Sequence, residues 1–189
     1  MIVEIATSEK KYSVEEYFEL EKTSEIRHEF INGNLIPVPG ESKIANKICR
    51  KIVRQLEDKL NEKVFEIFNH DIRTMLNVGK LYRYPDVVVA PIVDDEDSHA
   101  VTKPILIVEV FSDSSIKTDT TDKLREYSSL PTMQYYLIVS QTEPFVEVYS
   151  RNNEKWEFTC FTKLEEEIPL PYLDASLAMK AIFEGVFAL

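Results

Sequence analysis

At 189 residues the chain has the length of one domain. Its 44% apolar content is ordinary for a globular protein with a buried core. A formal charge of −11 argues against a general nucleic-acid coat, although a total does not describe one local groove. No apolar run approaches the roughly 18 to 20 residues a membrane helix needs, and Met1 to Lys11 lacks the pattern of a secretion signal. The expectation is a single cytoplasmic domain, 1–189, with no membrane association. Cys49 and Cys160 have no metal-type spacing and read as buried free thiols.

In chain order, Ser13-Val14-Glu15-Glu16 predicts a capping box that opens a helix to about Lys22. Asn32-Gly33 between Arg27–Ile31 and Leu35–Val38 predicts a two-residue hairpin. Ile44, Ile48, Ile52, Leu56 and Leu60 recur every fourth position, which predicts a long helix over 41–60. Its other face carries Lys43, Lys47, Arg50, Lys51, Arg54 and Lys59, either a solvated face or a phosphate-facing stripe. Residues 63–68 and 72–76 alternate like strands around Asn69-His70-Asp71. In Tyr84-Pro85-Asp86-Val87-Val88-Val89-Ala90-Pro91 the prolines bracket an apolar strand, with Asp86 at its start. The acidic runs Asp94-Asp95-Glu96-Asp97 and Glu165-Glu166-Glu167 read as solvated loops.

Residues 104–111, Pro-Ile-Leu-Ile-Val-Glu-Val-Phe, read as a strand buried on both faces. A carboxylate inside such a strand is costly, so Glu109 needs a cation, a metal, a proton or a wet end. Ser112-Asp113-Ser114-Ser115 predicts a turn and helix cap, followed by Asp119, Lys123 and Tyr127 at helical steps of four. Residues 134–140 read as another buried strand, so 104–140 is strand–helix–strand with parallel strands. Residues 145–150 and 155–161 predict an antiparallel pair turning at Arg151-Asn152-Asn153-Glu154, with Trp156 and Phe158 as core or dimer contacts. Pro169–Leu173 reads as extended, and Asp174 as the cap of a last helix, 175–183. The sum is an α/β or α+β domain on one mixed sheet.

No Gly-rich phosphate loop, His-x-x-x-His pair or Gly-x-Ser-x-Gly elbow is present, and His28, His70 and His99 read singly as surface or structural residues. What remains is Asp86 and Glu109 on neighbouring strands, with Lys123 beyond. Two such carboxylates suit Mg²⁺, or Mn²⁺, and a lysine beside them suits a phosphate or an attacking water. The same residues also fit a plain structure, in which Asp86 caps a turn and Glu109 pairs with Arg83 or Lys123.

Arg83-Tyr84-Pro85-Asp86, Val108-Glu109-Val110-Phe111-Ser112, and then Asp119, Lys123 and Tyr127 resemble the Uma-two family of the PD-(D/E)XK, restriction-endonuclease-like superfamily. Glu29-Phe30-Ile31-Asn32-Gly33 and Gln134-Tyr135-Tyr136-Leu137-Ile138-Val139 match further family segments, so the resemblance covers roughly residues 13–185. It implies a restriction-endonuclease-like core: a central mixed sheet flanked by helices, with an N-terminal hairpin and C-terminal antiparallel strands. It implies Asp86 and Glu109 as metal ligands, Lys123 as the catalytic lysine, and Glu29, Asp119 and Tyr127 as accessory groups. Phe111 stands where the superfamily's usual lysine would be. Many relatives carry a histidine where this chain has Ser42-Lys43-Ile44. The implied activity is Mg²⁺-dependent endonucleolytic hydrolysis of DNA; because a duplex has two strands to cut and symmetric dimers are the commonest oligomer, a homodimer is expected. The alternative is a nuclease-fold protein that no longer cuts and serves as a binding or oligomerisation module.

Overall fold

In the computed structural model, which describes residues 10–92, 99–111 and 119–187, Ser13 caps α1 (Val14–Thr23). The Ser13 hydroxyl accepts from the Glu16 amide, and Glu16 accepts in return from the Ser13 amide. The hairpin follows as β1 (His28–Ile31) and β2 (Asn34–Pro37), with Phe30 opposite Leu35. Asn32 and Gly33 have φ of 50° and 84°, as a two-residue primed turn requires. A Cβ on Gly33 would sit 3.3 Å from the Tyr12 carbonyl oxygen and 3.3 Å from the Lys11 side chain. Gly33→Ala should therefore cost about 1–2 kcal/mol, which thermal denaturation reads as a fall of roughly 2–8 °C.

The long helix, α2 (Lys43–Lys59), begins later than the apolar repeat suggests, because the Ser42 hydroxyl accepts from the Ala45 amide and caps it. Ile48, Ile52 and Leu56 are fully buried, each contributing about 1.5–3 kcal/mol. Ile44, at the exposed first turn, is not in the core. The basic face is divided. Lys51 and Lys59 donate to the carbonyls of Ala181 and Ser176, whereas Lys43, Lys47, Arg50 and Arg54 face solvent.

The strands fall into three sheets rather than one. β3 (Phe65–Asn69) and β4 (Arg73–Asn77) separate at His70-Asp71, where both residues have positive φ, and enter different sheets. β5 (Leu81–Arg83) pairs with β1 and β4, and β7 (Ala100–Val101) pairs parallel with β4, after β6 (Val87–Pro91). This gives a five-stranded sheet ordered β2-β1-β5-β4-β7. The second sheet takes β6, β8 (Leu106–Phe111), β9 (Tyr135–Ser140), β10 (Val146–Asn152) and β11 (Lys155–Phe161), in the order β11-β10-β9-β8-β6-β3. As expected, β8 and β9 are parallel. Between them a π-helical turn, Asp119–Lys123, leads into a short α3 (Leu124–Ser128). The caps expected at Ser112–Ser115 and the acidic run Asp94–Asp97 lie outside the described residues.

Alternation along the central strands sorts the core. Val87, Val89, Leu106, Val108, Leu137 and Val139 pack against α2. Val88, Ile107, Phe111, Tyr136 and Ile138 pack on the other face, under Tyr127 of α3. A strand covered on both faces has no polar side, which is why 104–111 reads as one apolar run.

The C-terminus departs from expectation. Residues 167–170 form β12 (Glu167–Leu170), and 175–178 form β13 (Ala175–Ala178), not a helix; the two pair antiparallel. Asp174 does not cap a helix: it adopts left-handed backbone, φ 49° and ψ 41°, after a 3₁₀ turn at Pro171–Leu173. Leu177 is fully buried and Gln55 of α2 clamps the amide of Ala178, so tertiary pairing overrides local helix preference. Only α4 (Met179–Phe183) is helical. The β10–β11 turn is also tighter than expected: Arg151 and Asn152 belong to the strand, and Asn153, φ 57°, makes the reversal.

Candidate active site

Asp86 and Glu109 arrive from adjacent antiparallel strands. Asp86 precedes β6, after a proline that offers no amide to a ladder, and one of its oxygens, Oδ2, accepts from the Val110 amide at 2.6 Å. Glu109 lies on β8, only 5% exposed, on the face shared with Ile107 and Phe111. Its Oε1 receives two donors from the following helical segment. The Lys123 ammonium lies 2.9 Å away, and the Tyr127 hydroxyl donates at 2.8 Å. The four-residue step between Lys123 and Tyr127 brings both to one carboxylate oxygen. Tyr127 is itself fixed, fully buried with its ring edge-on to Tyr136 at 5.0 Å. Asp119 opens the π turn; the expectation for its side chain lies outside what is described.

Electrostatics follow from this packing. Burial pushes the Asp86 carboxyl above its ordinary value; the Val110 amide and Lys123 oppose that shift, and Glu41 adds to it. Burial, and then the Glu109 charge, push the Tyr127 phenol far up, so it remains a donor. A carboxyl raised in the folded state favours folding most at pH below its unfolded value and loses that contribution as pH rises through its folded value. Asp86→Asn should therefore raise the melting temperature of the metal-free protein at neutral pH, with the gain shrinking as pH falls into the carboxylate range. Scanning calorimetry of both proteins across that range checks this.

Glu29 is brought to Arg83 rather than to Asp86 or Glu109. Arg83, 3% exposed, donates from Nη1 to Glu29 and from Nε and Nη2 to both oxygens of Glu126 at 2.9 Å. The bidentate pair fixes α3 against β5, and Glu29 adds β1 to the same joint. Arg83 thus positions the helical segment that carries Lys123 and Tyr127.

Three further groups collect beside Asp86. Glu41 precedes the α2 cap, Cys49 lies one helical turn and more inside it, and His70 occupies the turn after β3, its amide donating to the Asp86 carbonyl. Their ligand atoms all lie within 4.8 Å of one another. Glu41, His70 and Asp86 line a cavity of about 390 Å³ with Tyr84 and Arg27. No local pattern in the sequence joins these positions: His70 follows a strand, Cys49 lies within an apolar stripe, and Glu41 sits outside the helix. Cys160, expected to be buried, is exposed on β11, because that edge strand is open on most of its length.

Asp86 entering a buried strand, Glu109 on the next, and a lysine-bearing helix leading to a parallel strand fit a restriction-endonuclease-like fold. A crystal structure of a "putative nuclease belonging to DUF820" from Anabaena variabilis superposes with a TM-score of 0.73 at 19% identity, covering 93% of this chain and 99% of that one. The family model for Uma2, described as "Putative restriction endonuclease", matches residues 14–180. The chain belongs to the Uma2 family. Two Synechocystis proteins resemble it: uncharacterized protein sll1609, 31% identical over 89% of this chain and 98% of its own length, and uncharacterized protein slr1290, 28% identical over 93% of each.

Proposed function

We propose that this protein is a divalent-metal-dependent endonuclease that hydrolyses phosphodiester bonds in DNA. The observation that carries the reading is the convergence of Asp86, Glu109 and Lys123 on one end of the β6–β8 pair. Asp86 and Glu109 offer hard oxygen donors from adjacent strands, a set that fits Mg²⁺ or Mn²⁺. When bound, the cation supplies positive charge that polarises the phosphate and makes water a better nucleophile. Lys123 has three donors, so it can keep Glu109 and still hold a phosphate oxygen or orient the attacking water. Tyr127 keeps the Glu109 carboxylate turned toward Lys123. Water attacks phosphorus, the P–O ester bond breaks, and the departing oxygen takes up a proton. Glu29 acts as an accessory through Arg83. The solvent-facing Lys43, Lys47, Arg50 and Arg54 are the groups of α2 that could meet the DNA backbone. A symmetric dimer would present one site to each strand of a duplex.

The net charge of −11 favours a second reading, a fold that binds partners without cutting. Purified protein incubated with supercoiled, linear and single-stranded DNA, in Mg²⁺, Mn²⁺ or chelator, separates the two. Cleavage with metal and none with chelator is the expected result. Folded protein that neither binds the cation nor cuts any DNA would replace the nuclease reading with the second one.

A further inference from the structure

We propose that Glu41, Cys49 and His70 form a second cation site, for a thiophilic divalent ion of the Zn²⁺ type, at the edge of the cavity that Glu41, His70 and Asp86 line, with Cys49 buried behind it. The inference does not depend on the nuclease reading. His70 Nε2 is buried and has no hydrogen-bond partner. The nearest counter-group, Glu41 Oε1, is 3.6 Å away. That distance is too long for a hydrogen bond. It matches one edge of a tetrahedron, because two ligands about 2.0–2.2 Å from a zinc ion lie roughly 3.3–3.6 Å apart. The Cys49 sulfur completes a set whose members are all within 4.8 Å.

The backbone holds this arrangement at a cost. His70 has φ 50° and Asp71 φ 28°, both in the left-handed region, and the His70 amide is tied to the Asp86 carbonyl. Such conformations persist where the surroundings fix them, and they direct the imidazole into the cavity. Glu41 is held from its other oxygen, Oε2, by the Asn46 side chain at 2.8 Å, which leaves Oε1 turned to His70. Cys49 projects from a fully buried helical position beneath both. Sulfur, nitrogen and one carboxylate oxygen select a softer ion than the two carboxylates of Asp86 and Glu109 do. Three protein ligands leave the fourth position to water or to an anion in the cavity. On binding, the Cys49 thiol gives its proton to solvent and the thiolate bonds the ion.

The test is a titration of chelator-treated full-length protein with Co²⁺, which reports thiolate ligation by a near-ultraviolet charge-transfer band, followed by displacement with Zn²⁺. The wild type, Cys160→Ala and Glu109→Gln should all develop the band and lose it when Zn²⁺ is added. Cys49→Ala and His70→Gln, checked for folding by circular dichroism, should not develop it. His70→Gln changes a turn residue and protects the test against a core defect at position 49. No band in the wild type would overturn the proposal, as would a band that survives Cys49→Ala or disappears in Cys160→Ala. The Glu109→Gln arm separates this site from the proposed nuclease metal: its DNA cleavage should fall while its Co²⁺ band stays.

Discussion

Lys123→Met is expected to slow metal-dependent DNA cleavage by about 100- to 1000-fold, the usual effect of removing one donor aimed at developing charge. Methionine keeps the length and the packing of the stem but removes the ammonium. Glu109 still receives the Tyr127 hydroxyl, so the carboxylate stays oriented and keeps the charge that the proposed cation needs. The change should therefore appear in kcat, with cation affinity in calorimetry close to wild type. Glu109→Gln should lose both, since it removes the charge that the cation and the ammonium share. Lys123→Met with wild-type turnover would show that the lysine serves only as a partner for Glu109.

Arg83→Met is expected to destabilise the fold by about 3–5 kcal/mol, because it strands two buried carboxylates without their cation. The side-chain exposures of Glu29 and Glu126 are only 11% and 14%. Against a typical total of about 5–15 kcal/mol this is a large fraction. The joint connects β1, β5 and α3, so its loss should also loosen Lys123 and Tyr127. Urea denaturation measures the first effect. The triple variant Glu29→Gln, Arg83→Met, Glu126→Gln should recover much of the loss, since no uncompensated charge remains. A cost below about 1 kcal/mol for Arg83→Met would mean that the triad is hydrated and behaves as a surface pair.

The parts of the fold that were legible are those where one local rule decides. The Ser13 box, the Asn32-Gly33 turn and the buried run at 104–111 each carry their own signal and form as read, and the α2 stripe holds from Ile48 onward. Residues 175–178 misled because a short Ala-rich segment takes its structure from β12, which no window around it contains. The division of β3 and β4 between two sheets was hidden for the same reason: alternation shows a strand but not its partner. Around Glu109, the helical spacing of Lys123 and Tyr127 was legible, and both side chains meet its carboxylate, while Asp86 enters from the neighbouring strand. Glu29 was legible as an accessory acid only through the family resemblance, and not as a partner of Arg83, since 54 positions separate the two. Glu41, Cys49 and His70 were invisible as a group because three separate elements bring them together.

The most direct measurement of the central claim is the nicking of supercoiled plasmid by the wild type and Glu109→Gln, side by side, in Mn²⁺ and in chelator. Cleavage by the wild type is expected in Mn²⁺ alone, with a loss of about 100-fold or more in the variant. Equal cleavage by both proteins would place the chemistry elsewhere and contradict the assignment of Glu109.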